Sequence, residues 1–183
     1  MARHGKKFTT HEALISSLQK SIIVKNGSKQ IGEVQLDFKT FGESESESHL
    51  IVSIPSQQIL FCGDLVNFNV PAIPFESITN WYRQLDILES TYRQFILYQG
   101  HGQAPTGIEN ISQQREYFDV VKLLVNDLTK DGLLTQLDIQ SGVSQLDIRY
   151  PDYTGVAGNN RNETFTLVLK RAAKQLGKII ENE

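Results

Sequence analysis

The stretch "FGESESESHLIVSIPSQQILFCGDLV", residues 41–66, decides the fold of this 183-residue chain. An acidic, serine-rich run precedes two apolar segments, 50–54 and 59–62, which a proline-containing turn separates. Alternating apolar residues predict a half-buried strand, whereas a short, wholly apolar segment predicts a fully buried one. The second segment ends at Gly63 and Asp64, so a carboxylate stands where the chain leaves the predicted sheet.

The residues around this stretch predict an α/β (α+β) domain. Alternation over residues 31–41 predicts a further strand, and three strands with short connections predict an antiparallel meander. Apolar residues at spacings of three and four predict a helix over 78–88. The remaining elements are a buried strand at 95–98, a helix through 117–128, a polar region at 141–160 and a last helix from Phe165 to Ile179.

A threonine three residues before a glutamate, within Thr9–Glu12, predicts a capped helix near the start of the sequence. Cys62 is interpreted as a small core residue and Trp81 as a core anchor of its helix. The segment from Tyr150 to Tyr153 is interpreted as a surface loop.

Composition and charge exclude several classes of function. A net charge of -3 and a pI near 5.8 give no footprint for nucleic acid or an anionic membrane, so we expect neither partner. A single cysteine excludes a disulfide framework and a cysteine-rich zinc module. The sequence has neither an apolar run of membrane-spanning length nor a secretory signal. We expect one domain over residues 1–183 and a cytoplasmic location as written, unless a signal peptide lies upstream.

Two strand ends carry the candidate functional residues. Asp64 follows the strand at 59–62, and His101 follows the strand at 95–98 between two glycines. Side chains on loops at strand ends often carry function, and a carboxylate with an imidazole suits zinc. Taken alone, Gly-Asp is more often a turn or a helix cap, and Gly-His-Gly fits a structural loop as well as a ligand loop.

Read together, three stretches resemble the metallo-β-lactamase-fold hydrolases: "HLIVSIPSQQILFCGDLV", "ITNWYRQLDIL" and "FILYQGHG". That family shows a strand ending in proline, a strand closing with Gly-Asp, a helix with a tryptophan and a strand ending in Gly-His-Gly, in this order. The resemblance covers roughly residues 30–180. It implies part of an αββα sandwich, in which an antiparallel or mixed sheet is flanked by helices.

The resemblance also implies a metal site with one or two Zn²⁺ ions. In that family the aspartate corresponding to Asp64 bridges two metal ions, and the histidine corresponding to His101 binds one of them. A further family histidine, from a Gly-Pro-x-His loop, falls on Glu45 in this sequence, with His49 four positions further on. We expect Asp64, His101 and Glu45 as metal ligands and favour Glu45 over His49.

One diagnostic feature of the family is missing. The His-x-His-x-Asp-His motif, which supplies most ligands of the first metal, does not occur among residues 1–183. Residues 7–18, "KFTTHEALISSL", resemble the segment downstream of that motif. We interpret the chain as the C-terminal half to two-thirds of such a hydrolase, truncated or degenerate, with His4 and His11 at the surface.

Two functions follow as hypotheses. The first is a metal-dependent hydrolase that cleaves an ester, thioester, lactam or similar bond of a small molecule, with little activity as an isolated chain. The second is a non-catalytic interaction module that pairs an open sheet edge with another chain, a second copy included. The acidic run at 43–48 fits a solvated loop, a phosphoacceptor tract or a site where a cation relieves carboxylate repulsion.

Overall fold

A computed structural model describes residues 26–75, 77–102, 105–156 and 158–181. Its main feature is a five-stranded sheet with the strands in sequence order. The strands are β1 (Gly27–Ile31), β2 (Val34–Phe41), β3 (His49–Ile54), β4 (Ile59–Gly63) and β5 (Ile96–Gln99). The first four form antiparallel pairs, and β5 runs parallel to β4. The predicted meander and mixed sheet are therefore confirmed.

Four helices share one buried core with one face of this sheet. They are α1 (Ile78–Thr91), α2 (Asn110–Leu128), α3 (Gln136–Arg149) and α4 (Arg161–Gln175), and a short parallel pair joins β6 (Leu133–Leu134) to β7 (Ile179–Ile180). Ile51, Leu60 and Leu97 have no solvent exposure and belong to one buried cluster with the helices. Strands expose alternate residues on opposite faces, so their neighbours in sequence lie on the other face.

That other face stays accessible. A cross-strand row of Phe38, Val52, Phe61 and Tyr98 crosses four strands of the sheet. None of these four side chains is buried, and Phe61 is 44% exposed. We call this the open face, and the face that packs on the helices the covered face.

Strand β1 was not predicted from the sequence, because it has no pattern of buried apolar residues. All five of its residues are exposed. Its pairing with β2 comes from backbone hydrogen bonds and from side chains such as Ser28, whose Oγ donates to Asp37 Oδ1 at 2.6 Å. A strand that buries nothing cannot be found from hydrophobic periodicity.

The predicted polar region at 141–160 is wrong, because α3 occupies its first half. Thr135 caps this helix: its Oγ1 accepts from Asp138 N, and the Asp138 carboxylate accepts from Thr135 N at 2.9 Å. The helix buries only Ile139, Gly142 and Leu146. An apolar face this narrow gives a weak periodic signal.

A further prediction near the C-terminus is wrong, and another is refined. The last helix ends at Gln175, so Ile179 lies in β7 and is 70% exposed rather than on a helical core face. The segment from Tyr150 to Tyr153 is a turn in which Pro151 and Asp152 are exposed, as expected of a surface loop. Its two tyrosines are nevertheless half-buried, because both rings pack on the buried Tyr117 ring, with centroids 5.3 Å and 5.6 Å away. The predicted helix near Thr9–Glu12, together with His4 and His11, lies outside the described residues.

The core confirms the interpretations of Trp81 and Cys62. Both are fully buried, and the Trp81 ring packs on Phe118 with centroids 4.9 Å apart. Burial also raises the pKa of the Cys62 thiol to about 12. Among the described residues, no helix combines the length and hydrophobicity needed to span a bilayer.

Candidate metal centre

Asp64 lies where the ends of β4 and β5 are joined. The Gly100 N–H donates to Gly63 O at 3.0 Å, which ties the end of one strand to the end of the next. A side chain at Gly100 would collide with Asp64, since an added Cβ would lie 2.2 Å from Asp64 Oδ1. Glycine at this position therefore lets the Asp64 carboxylate lie against the end of β5.

His101 follows directly and points its ring toward the same carboxylate. The distance from His101 Nε2 to Asp64 Oδ1 is 3.5 Å, longer than a normal hydrogen bond, and both side chains are partly exposed. Gly102, at φ +84°, passes so close to Phe68 that an added Cβ would lie 2.0 Å from the Phe68 carbonyl oxygen. The Asp64 carboxylate thus requires a glycine at position 100, and the Phe68 backbone requires one at position 102.

The turn after Asp64 is held by three buried polar side chains. Asn67 Nδ2 donates to Asp64 O at 3.0 Å, and Asn67 N donates to Gln114 Oε1 at 2.9 Å. Trp81 Nε1 donates to Leu65 O at 2.9 Å. Trp81 is therefore a core anchor that also fixes the backbone beside the candidate ligand.

Asn67 and Gln114 were not predicted as parts of the site from the sequence. Gln114 lies on the buried side of α2 between Ile111 and Phe118 and is 2% exposed. A polar residue on an otherwise apolar helical stripe needs a hydrogen-bond partner, so its position was the available signal. No sequence pattern indicated which backbone group it would bind.

Glu45 is brought to the same place by the acidic segment. Its Oε2 accepts a hydrogen bond from Asn67 Nδ2 at 3.3 Å, so one amide contacts both Glu45 and the Asp64 backbone. Burial, and then the negative charge of Asp64, raise the pKa of Glu45 to about 7; the Asn67 hydrogen bond and the Arg171 charge act in the opposite direction. Glu45 can therefore take up or release a proton near neutral pH.

The rest of the acidic segment is not a uniformly solvated loop. Ser44 is fully buried, and Glu43 Oε2 accepts from Asn80 Nδ2 of α1 at 3.1 Å. Glu47 is exposed. The three carboxylates of this segment look equivalent in the sequence, but the fold places them in different environments.

His49, the alternative to Glu45, is half-buried at the start of β3. Its Nε2 accepts a hydrogen bond from Ser46 N at 3.2 Å, so this nitrogen already has a donor. Burial lowers the pKa of His49, while the Asp64 charge acts in the opposite direction.

The donors present fit part of a zinc coordination sphere. Asp64 and His101 face each other, Glu45 contacts the Asn67 amide beside them, and these oxygen and nitrogen donors are ones that zinc accepts. In the part of the chain that the structure describes, no three His, Cys, Asp or Glu side chains converge well enough to hold a metal ion. The assignment of Asp64, His101 and Glu45 as ligands remains a prediction.

No protein-family model matches this sequence, and no curated protein sequence matches it. Several solved structures are similar. A β-lactamase domain protein from Burkholderia ambifaria has a TM-score of 0.55 and 16% identity over 84% of this chain and 45% of its own. A stereoselective inverting sec-alkylsulfatase from Pseudomonas sp. has a TM-score of 0.53 and 19% identity over 82% of this chain and 26% of its own. A metallo-β-lactamase family protein from Thermus thermophilus has a TM-score of 0.53 and 12% identity, over 84% and 47%.

These similarities concern the arrangement of helices and strands, since the identities are all below 20%. The chain spans less than half the length of each of these three proteins.

Proposed function

We propose that this chain, whose fold is that of part of a metallo-β-lactamase domain, supplies Asp64, His101 and Glu45 to the metal centre of a zinc-dependent hydrolase. The observation that carries the proposal is the meeting of Asp64 and His101 at 3.5 Å from the ends of two adjacent parallel strands. Gly100, which leaves room for the carboxylate, supports it. A bound zinc ion would supply a hydroxide nucleophile at neutral pH.

Other residues of this chain would position the metal ligands or hold a proton beside the metal. Asp64 is positioned through its backbone by Asn67, and through the next residue by Trp81. Glu45, with its pKa of about 7, is suited either to bind the metal or to hold a proton beside it. Both roles need the half-buried position that the acidic segment provides.

We further propose that the bond cleaved is an ester, thioester, lactam or similar bond of a small molecule, and that this chain alone has little activity. Two facing donors and a neighbouring carboxylate do not complete a zinc site. The sequence also lacks the His-x-His-x-Asp-His motif that the resemblance leads us to expect. The remaining ligands would come from outside the described residues.

Metal binding by the purified chain tests this function. Titration with Co²⁺ or Zn²⁺, followed by absorption or calorimetry, should show a site that Asp64→Ala and His101→Ala each weaken at least about 10-fold. Glu45→Gln and His49→Gln, compared with each other, decide which of the two is the third ligand. Asp152→Ala removes an exposed carboxylate and is the matched control. Wild type that binds no zinc, or equal binding in Asp64→Ala and His101→Ala, would contradict the proposal.

A specific observation favours a second candidate function, a non-catalytic module that pairs with a second copy of itself. The open face and β1, which is the edge strand of the sheet among the described residues, offer an apolar surface next to backbone groups that no described strand pairs. Within the described strands, Lys29 is the one charged side chain on that face. Two such faces could stack at the spacing of about 10 Å that packed sheets adopt.

The oligomeric state decides this second candidate. Sedimentation of wild type should give a dimer that Phe61→Glu converts to a monomer. Leu137→Glu, which places the same charge at an exposed apolar position on α3, should leave the dimer intact. A wild type that is monomeric at every concentration would exclude self-pairing through this face.

A further inference from the structure

Asn67 contacts both acidic residues of the candidate metal centre. Its Nδ2 donates to Glu45 Oε2 at 3.3 Å and to Asp64 O at 3.0 Å. A side-chain amide nitrogen carries two protons, so these two acceptors use both of them and fix the orientation of the amide. The residue is buried, which keeps water from competing for this donor.

A buried hydrogen-bond network holds Asn67 in turn. Asn67 N donates to Gln114 Oε1 at 2.9 Å, and Gln114 Nε2 donates to Leu65 O at 3.4 Å. The same Leu65 oxygen accepts from Trp81 Nε1 at 2.9 Å. The donor that contacts Glu45 is therefore tied to α1 through Trp81 and to α2 through Gln114.

Closure of the turn after Asp64 does not account for both bonds of the Asn67 amide. The bond to Asp64 O spans three residues, and asparagine commonly makes such local bonds to the backbone. The bond to Glu45 spans 22 residues and joins the turn to the acidic segment. Because the turn needs only the first bond, the second points to a role in placing the Glu45 carboxylate.

Glu45 needs such a donor because Asp64 carries a charge of the same sign. Like charges in one site repel each other, and Glu45 would move toward solvent if nothing held it. In the described parts of the chain, Asn67 Nδ2 is the donor that the Glu45 side chain has. The bond engages Oε2 and leaves Oε1 outside it, and a carboxylate can bind a metal through one oxygen. His49, by contrast, already uses its Nε2 on Ser46 N.

We propose that Asn67 is a positioning residue, which holds Glu45 beside Asp64 and thereby makes Glu45, rather than His49, the third ligand of the metal. This inference rests on the proposed function, because it concerns the same metal. Ligands that hydrogen bonds already hold in place bind a metal more tightly than ligands that must first be ordered.

Co²⁺ titration of the purified chain tests the inference. Asn67→Leu keeps the size of the side chain and removes the donor, and should weaken Co²⁺ binding at least about 10-fold. Asn80→Leu is the matched control. It removes the amide that donates to Glu43 Oε2 at 3.1 Å, in the same acidic segment, and should leave the Co²⁺ affinity unchanged.

A double variant distinguishes positioning from a merely structural role. Glu45→Gln should weaken Co²⁺ binding in wild type and have no further effect in Asn67→Leu, because Glu45 is no longer held at the metal. Independent structural damage would instead add to the loss at Glu45. The visible absorption of bound Co²⁺ reports its ligands, so Asn67→Leu and Glu45→Gln should give the same altered spectrum.

A measurement on zinc-free protein keeps the inference testable if Asn67→Leu does not fold. In NMR spectra, Glu45→Ala should shift the side-chain amide resonance of Asn67, whereas Glu43→Ala should not. An unshifted Asn67 resonance, or losses of Co²⁺ affinity that add in the double variant, would overturn the inference and leave the Asp64–His101 site standing. A wild type that binds no Co²⁺ would contradict the proposed function, and this inference with it.

Discussion

The two faces of the five-stranded sheet share one set of strands and have opposite environments. Leu60 and Phe61 are neighbours in β4, yet Leu60 is fully buried on the covered face and Phe61 is 44% exposed on the open face. The wholly apolar β4 sequence predicted burial on both faces. Among the described residues, helices provide burial on only one of them. An apolar strand sequence therefore shows that both faces of the strand are able to pack, not that both are buried. The open face is apolar enough to pack against another sheet.

Thiol reactivity should show the largest difference between the faces. Cys62 lies on the covered face, and burial raises its pKa to about 12. In Phe61→Cys combined with Cys62→Ala, the thiol lies on the open face and should keep an ordinary pKa near 8.5. At pH 7.5 a maleimide should label the new thiol at least about 1,000-fold faster than it labels Cys62 in wild type. Comparable rates would show that the covered face is open to solvent.

Stability should show the next largest difference. Leu60→Ala leaves a cavity among helix-packed side chains and should lower the free energy of unfolding by about 3 kcal/mol. Phe61→Ala removes a larger side chain from a surface that already contacts water, and should cost less than about 1 kcal/mol. Urea unfolding of the two variants measures both effects. A loss at Phe61 equal to that at Leu60 would indicate that the open face is already covered in solution.

The smallest expected effect is a change in stability with pH. It arises at the edge of the covered face, where Glu45 lies next to Asp64. Between pH 4.5 and about 7 the unfolded chain has released the Glu45 proton and the folded chain retains it. The free energy of unfolding of wild type should therefore fall as pH rises through this window. Glu45→Gln cannot ionise, so its stability should equal that of wild type near pH 4 and exceed it by about 2 kcal/mol at pH 8, after allowance for solvent screening.

Chemical denaturation at both pH values measures this difference. Glu47→Gln, which neutralises an exposed carboxylate of the same segment, is the control and should show no such dependence on pH. A Glu45→Gln advantage that is the same at pH 4 and pH 8 would contradict the raised pKa.

Much of the fold could be predicted from the sequence wherever an element buries a clear periodic face. The strands around Pro55, the helix with Trp81 and the endings at Asp64 and His101 were all visible in this way. Helix α3 was not predicted, because Leu137 and Ile148 are exposed and blur the signal from its few buried residues. Strand β1 was not predicted, because a strand without buried residues leaves no pattern.

The residues of the candidate site were also predictable from the sequence only in part. Asp64 and His101 could be found because glycines and strand ends mark them locally. Asn67 and Gln114 could not, because their partners lie far away in the sequence and only folding brings them together.

The sequence by itself determined where the chain forms strands and helices with strong apolar faces, and which two residues leave the sheet beside glycines. These features depend on residues a few positions apart, so local chemistry specifies them. Only the tertiary structure decided which face of β4 is buried, which of three similar glutamates approaches Asp64, and that one Asn67 amide contacts both Glu45 and the Asp64 backbone. Those features depend on contacts between distant segments, and burial and charge act on a side chain only after the segments have packed.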